Sequence, residues 1–337
     1  MGRSLYPRRL LAIEALLGLG VVCPGLLADP PKTGSVWSVS VALDNDAFVG
    51  ADRLYTSGVA VAIQQSGGTL LDPIVDRLPA WCIAGDRVVG YQFGQIICTP
   101  SDISLPRPDP NDRAYCGVLF VGLSTCFEQP DSYWGLRLTA GVVGPWSLAE
   151  QTQTKVHQWL GCQVPMGWDY QIHNEPILNL TYEYKQRLIL LGQRNGACVE
   201  AIPSFQSSAG NALANVMIGG QARMGINLPQ DFGTTQMQGM AHLPSPHSAR
   251  PVSEGLGLHV YGSAYLSAVL RNITLDGNTF REGPRVDKLP FVPAAEVGIG
   301  IATRHLKLVL AYVVVGKEFK TQRGHEKYGS LGLAYTF

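Results

Sequence analysis

Along most of the chain, apolar residues alternate with small or polar ones over short stretches, and turn chemistry separates the stretches. The last stretch is the clearest. Leu331, Leu333, Tyr335 and Phe337 fall on one face of a strand, and Ser330, Gly332, Ala334 and Thr336 on the other. An apolar outer face and a small or polar inner one is the pattern of a strand between lipid and a barrel lumen. The closing strand of a soluble sandwich would alternate in the same way. Comparable stretches fall at about 35–44, 55–66, 87–97, 115–127, 133–143 and 176–190, and then at 196–207, 213–226, 256–269, 292–303, 306–316 and 328–337. Leu178, Leu180, Tyr182 and Tyr184 give one of them a long apolar row. The pattern predicts an all-β chain, a transmembrane antiparallel barrel of about twelve strands with both termini in the periplasm.

Parity then sorts the connections. If the first strand runs outward, those at 45–54, 98–114, 144–175, 208–212, 270–291 and 317–327 are extracellular and should be the longer set. The opposite set includes short turns at 128–132, 191–195 and 304–305, but also long segments at 67–86 and 227–255. The 144–175 connection carries a helix signal. Ser147 and Glu150 have capping-box spacing, with Ser147 predicted as the N-cap. Ala149, Gln153, Val156, His157 and Leu160 recur at helical spacing, and Gly161 is placed to end the helix. Such a helix could serve only to plug the barrel.

Ahead of the first strand, residues 1–28 read as a signal peptide, leaving 29–337 as one outer-membrane domain. Arg3, Arg8 and Arg9 precede a mostly apolar run from Leu10 to Val22, and Leu26-Leu27-Ala28 resembles a cleavage site. Glu14 interrupts the run, and a retained anchor is the alternative reading. A formal net charge of zero with 15% charged residues gives no electrostatic case for nucleic acid. Six cysteines remain beyond the signal: Cys82, Cys98, Cys116, Cys126, Cys162 and Cys198. They permit disulfides in an oxidising compartment without indicating which, and no CxxC spacing suggests zinc.

Three clusters bear chemistry. Asp44-Asn45-Asp46 and Tyr55-Thr56-Ser57 lie across one extracellular hairpin and offer hard oxygen donors suited to calcium, although the spacing is not that of an EF-hand. Turn formation accounts equally for Asn45 and Asp46. Gln153 and His157 share a helix face, and histidine is the usual general base near neutrality. Trp168 and Tyr170 suit the membrane interface, while Asp169, Gln171 and Glu175 can brace a site.

Taken in order, these segments resemble the outer-membrane lipid A 3′-O-deacylase family, the LpxR type. The likeness rests on Asn45-Asp-x-Phe48, Asp52-Arg-x-Tyr-Thr-Ser-Gly58, Gly94-Gln95 with Thr99-Pro100, and Gly141-Val-Val-Gly-Pro145. It continues through Gln153-x-x-x-His157, Gly167-Trp-Asp-x-Gln171, Asn174-Glu-Pro176 and Asn227-Leu-Pro-x-Asp-Phe-Gly233. Leu275-Asp-Gly-Asn-Thr-Phe280 and Glu318-Phe319 with Gln322 extend it downstream. The resemblance implies a calcium-dependent esterase of the outer leaflet that acts on lipopolysaccharide and removes the 3′-linked acyloxyacyl group of lipid A; a monomer is expected. It carries catalytic roles to Asn45, Gln153 and His157, and metal binding to Asp46 and Thr56. Two stretches depart from it. Arg113-Ala-Tyr-Cys-Gly117 stands where many members read Arg-Pro-Tyr-Ala-Gly, and Ile96 and Ile97 stand where some carry a lysine. A serine mechanism through Ser57, a phospholipase-type acyl hydrolase and a non-enzymatic channel or structural barrel remain as alternatives; no Gly-x-Ser-x-Gly elbow occurs.

Overall fold

A computed structural model describes residues 36–49, 54–66, 72–79, 83–234 and 255–337. The signal-peptide prediction and Cys82 lie outside these residues. The strands are β1 (Trp37–Asn45), β2 (Leu54–Ser66), β3 (Asp86–Thr99), β4 (Cys116–Glu128), β5 (Ser132–Val143), β6 (Glu175–Gln186) and β7 (Leu188–Gly192). They continue as β8 (Ala197–Gly210), β9 (Leu213–Ile226), β10 (Gly257–Asn272), β11 (Phe291–Ala302), β12 (Leu306–Val315) and β13 (Glu326–Thr336). Every pairing is antiparallel. The sheet closes where β1 meets β13 and where β6 meets β8.

The short β7 is not a thirteenth crossing. It follows β6 after Arg187 and pairs with the same neighbour, keeping register across the break, Lys185 opposite Ser204 and then Leu188 opposite Ala201, before a bulge between Ile189 and Leu191. Together β6 and β7 make one interrupted strand, so the barrel has twelve, as the alternation predicts. Arg187 explains the interruption. Its guanidinium donates to the carbonyls of Pro130 at 2.6 Å and Asp231 at 2.5 Å. No helix among the described residues is long and apolar enough to cross a membrane.

The two faces follow the sequence pattern. Val121, Leu138, Leu178, Leu180, Leu333 and Tyr335 are exposed on the outer wall, while Gln92, Ser124, Arg137, Thr181 and Arg223 are buried in the lumen. Phe127, Trp134, Tyr182 and Phe205 form a run of ring contacts at 4.8, 6.3 and 6.3 Å across β4, β5, β6 and β8, resembling part of an aromatic girdle.

Residues 227–234, which sequence parity leaves as an unexpectedly long periplasmic connection, fold into the lumen. Asp231 accepts from Arg223 at 2.6 Å and pairs with Lys307, side chains that point inward from β9 and β12. Phe232 packs on Tyr133 at 5.7 Å, with the Arg187 guanidinium 4.2 Å from its ring centre. Burial opposes the charge of Asp231, but Lys307 and Arg223 override it and hold the carboxyl well below its usual range. At the other end Arg113 pairs with Glu318, and Leu289 donates to the Glu318 carbonyl at 2.7 Å, tying three extracellular connections together. Between these closures a cavity of about 90 Å³ remains, bordered by Glu183, Lys185, Gln206 and Asn215. The 227–234 insert and the tied extracellular connections stand across the two ends of the lumen, which argues against an open channel.

Candidate active site on the outer wall

At the top of the hairpin, β1 and β2 pair so that Asn45 stands opposite Ser57. Ser57 stands opposite Ile97, and Ile97 opposite Gly117. These positions form one lateral row across four strands. Alternation along β1 turns Ser38 and Asp44 into the lumen, with Asp44 accepting from the Tyr55 hydroxyl at 3.1 Å. Asn45 therefore belongs to the outer face, the face that meets lipid. Asp46 begins the 3₁₀ turn Asp46–Val49, and Phe48 of that turn lies against Gly329 of β13.

Thr56 is placed by a bulge. The β2–β3 register steps from Tyr55 opposite Cys98 to Ser57 opposite Ile97, leaving Thr56 as the extra residue. Its hydroxyl bonds that of Thr99 at 2.7 Å, and both are buried. Sequence spacing gives no sign of this displacement.

The helix predicted in the 144–175 connection is present as α1 (Ala149–Leu160), but it starts differently. Leu148, with φ of 59°, is the N-cap, and a 3₁₀ turn at Pro145–Ser147 precedes it. The capping box does not form. The Ser147 hydroxyl instead donates to the Gly144 carbonyl at 2.6 Å, closing the 3₁₀ turn on itself. Gln95 of β3 completes the anchor by donating to the Ser147 carbonyl at 2.7 Å. Gly161, with φ of 70°, ends the helix as predicted, in the left-handed region that favours glycine.

One glycine makes the seat possible. A Cβ at Gly117 would lie 2.1 Å from Ser147 Oγ and 2.2 Å from Ala149 Cβ, so α1 rests directly on the β4 backbone. Ala149, Gln153 and His157 form its buried face. Val156, expected on that face, is exposed instead, together with Leu148 and Trp159. Trp168, expected at the membrane interface, is buried between Tyr115 (ring centres 4.8 Å apart) and Gln153, to whose Oε1 its indole donates at 3.0 Å. That bond fixes the amide of Gln153. Its Nε2 is buried without a hydrogen-bond partner, a donor held ready for something the protein does not supply.

His157 Nδ1 lies 2.5 Å from the Gln163 carbonyl oxygen. A carbonyl only accepts, so Nδ1 carries a proton, and in the neutral imidazole the lone pair is then on Nε2. Glu175 braces the connection from below, accepting from the Thr279 amide at 2.7 Å and from Asn278 Nδ2 at 3.2 Å. The fold thus brings Asn45, Asp46 and Thr56 to one corner and Gln153 and His157 to one helix face. The Asn45–Ser57–Ile97–Gly117 row connects the two groups on the outside of the barrel.

A family description, "Outer membrane protein LpxR", matches residues 12–337. The chain belongs to the LpxR family. Among solved structures, LpxR from Salmonella typhimurium superposes with a TM-score of 0.71 at 21% identity, covering 89% of this chain and all of that one. The likeness to the LpxR barrel is one of fold, and it agrees with an outer-membrane, multi-pass β-barrel. The β domain of the Bordetella autotransporter BrkA and the translocator domain of NalP from Neisseria meningitidis align at TM-scores of 0.38, each at 10% identity. They cover 90% and 100% of this chain, and 98% and 100% of their own. No curated protein matches the chain.

Proposed function

We propose that this LpxR-family barrel is a calcium-dependent esterase that hydrolyses the 3′-linked acyloxyacyl group of lipid A in the outer leaflet. The observation that carries the reading is His157, buried on α1 with Nδ1–H given to Gln163, which directs Nε2 away from that bond. A histidine in that tautomer can take a proton from water at Nε2, which is general-base work. The surroundings suit a lipid ester. The corner and α1 lie on the outer wall, and Leu148, Val156 and Trp159 give the helix an exposed apolar flank where acyl chains would pass.

The donors at the corner fit a hard cation. The Asn45 amide, the Asp46 carboxylate and the Thr56 and Thr99 hydroxyls are all oxygen donors, and neither β1 nor β2 contains cysteine or histidine. Among the described residues no three His, Cys, Asp or Glu side chains gather into a metal cluster. Asp46 would therefore supply the charge, with Thr56, backbone carbonyls and water completing the shell. Bound there, calcium would polarise the ester carbonyl and steady the oxyanion. Asn45 would donate a hydrogen bond to the same oxyanion, and the Nε2 of Gln153 would orient the attacking water or the oxyanion. Segments standing across both ends of the lumen favour this reading over an open channel.

Mass spectrometry of lipid A from cells expressing the chain tests the proposal. Loss of the 3′ acyloxyacyl group is expected with the wild type. With His157→Ala it should fall by at least about a hundredfold, the low end for a lost general base. Heat-modifiable gel mobility serves as the folding control. A folded His157→Ala barrel with near-normal activity would remove the histidine and favour Ser57 or a non-enzymatic account.

A further inference from the structure

The strand register sets two cysteines face to face. Cys98 of β3 stands directly opposite Cys116 of β4, with side chains 3% and 0% exposed on the lumen side. Opposed residues of an antiparallel pair have Cα atoms about 4.5 or 5.5 Å apart. Disulfides span Cα separations of about 4.4–6.8 Å, so the strands need not slide for a bond to form. Both residues are thiols in this structure. Among the described residues no other two cysteines are cross-strand partners: Cys126 faces Val88, and Cys198 faces Gly192 and Gly225. An outer-membrane chain also passes through a periplasm that is kept oxidising.

We propose that Cys98 and Cys116 form a cross-strand disulfide in the mature barrel, made by exchange with a periplasmic dithiol–disulfide oxidoreductase. One cysteine thiolate attacks the disulfide of the oxidant and forms a mixed disulfide. The second displaces it, closing the Cys98–Cys116 bond and releasing the oxidant as a dithiol. The pair gives up two electrons and two protons, and the oxidant takes up both. Because both side chains end in the lumen, exchange precedes closure of the barrel.

The bond would matter to the outer wall through the residues next to it. Ile97 and Gly117 are the adjacent members of the ladder and carry the seat of α1. A covalent link at 98 and 116 pins β3 to β4 one residue away from that seat. Cys116 stands in the Arg113-Ala-Tyr-Cys-Gly117 stretch, immediately before the glycine on which α1 rests.

The test uses full-length barrel taken from outer membranes, unfolded in iodoacetamide without reductant and digested with trypsin. Mass spectrometry should find the 88–113 peptide linked to the 114–137 peptide, and reduction should abolish the link. Cys126 shares the second peptide, so the link must persist in Cys126→Ala. Reductant should lower the temperature at which the wild-type barrel loses its folded gel mobility. It should not affect the Cys98→Ser, Cys116→Ser double variant. Full alkylation of both residues without reductant, or a link carried by Cys126 instead, would overturn the proposal.

Discussion

Replacing Gly117 with alanine probes how closely the proposed chemistry depends on the seat of α1. The new Cβ would lie 2.2 Å from Ala149 Cβ and 2.1 Å from Ser147 Oγ. Carbon atoms settle at about 3.8 Å, so Ala149 must withdraw by about 1.6 Å. Rotating Ser147 away gives no relief, because Ala149 obstructs as well and the serine hydroxyl is committed to Gly144 at 2.6 Å. The start of the helix has to lift. Gln153 and His157 ride on the same rigid element, four and eight residues further along. A displacement of about 1 Å at a reacting group can cost about a hundredfold in rate, and that is the loss expected for Gly117→Ala. The barrel itself should survive, since overpacking costs about 1–3 kcal/mol and here falls on a loop helix outside the lumen. Purified barrel is assayed on lipopolysaccharide by mass spectrometry, with heat-modifiable mobility confirming assembly. Full activity in a folded Gly117→Ala barrel would mean that the contact of α1 with the wall does not position the catalytic groups.

Trp168→Phe keeps the ring against Tyr115 but removes the donor that fixes Gln153. Turnover should drop about tenfold, in line with one hydrogen bond of about 1–1.5 kcal/mol, with KM little changed. Adding Gln153→Ala should then cost little more, and a fully additive loss would show that the two act independently. Chelating calcium should abolish deacylation and restoring calcium should recover it; activity in excess chelator would exclude the Asp46 site. Asp231 has a carboxyl held low in the folded barrel, so its stabilising contribution is complete above the unfolded value of about 3.9 and declines as the pH falls below it. Asp231→Asn should therefore lower the heat-modification temperature at pH 7, and the gap from wild type should narrow below about pH 4. A gap that is constant with pH would dissociate the periplasmic insert from this ion pairing.

Local periodicity determined much of this protein. A repeat of two marks which side chains meet lipid and which meet the lumen, and it does so wherever the strand sits in the sheet. Strand number, the outward row of Leu331, Leu333 and Tyr335, and the Gln153–His157 helix face were therefore legible in the sequence, as was the closing Gly161. The motif series also marked Asn45, Asp46 and Thr56 as a group, although it could not say what holds them together. Only the tertiary structure decided features that depend on which strands become neighbours. The bulge at Thr56 exists because β2 must match β3. Ser147 stays in the turn before α1, where Gln95 of β3 holds its carbonyl, and Trp168 left the membrane interface because a buried glutamine accepted its indole. Arg187 breaks β6 from β7 because residues 227–234 enter the lumen beside it. Cys98 and Cys116 meet by register alone, and Gly117 matters only because a helix lands on it. Each is a contact between residues distant in sequence, and a repeat of two carries no information about the partner on the other side.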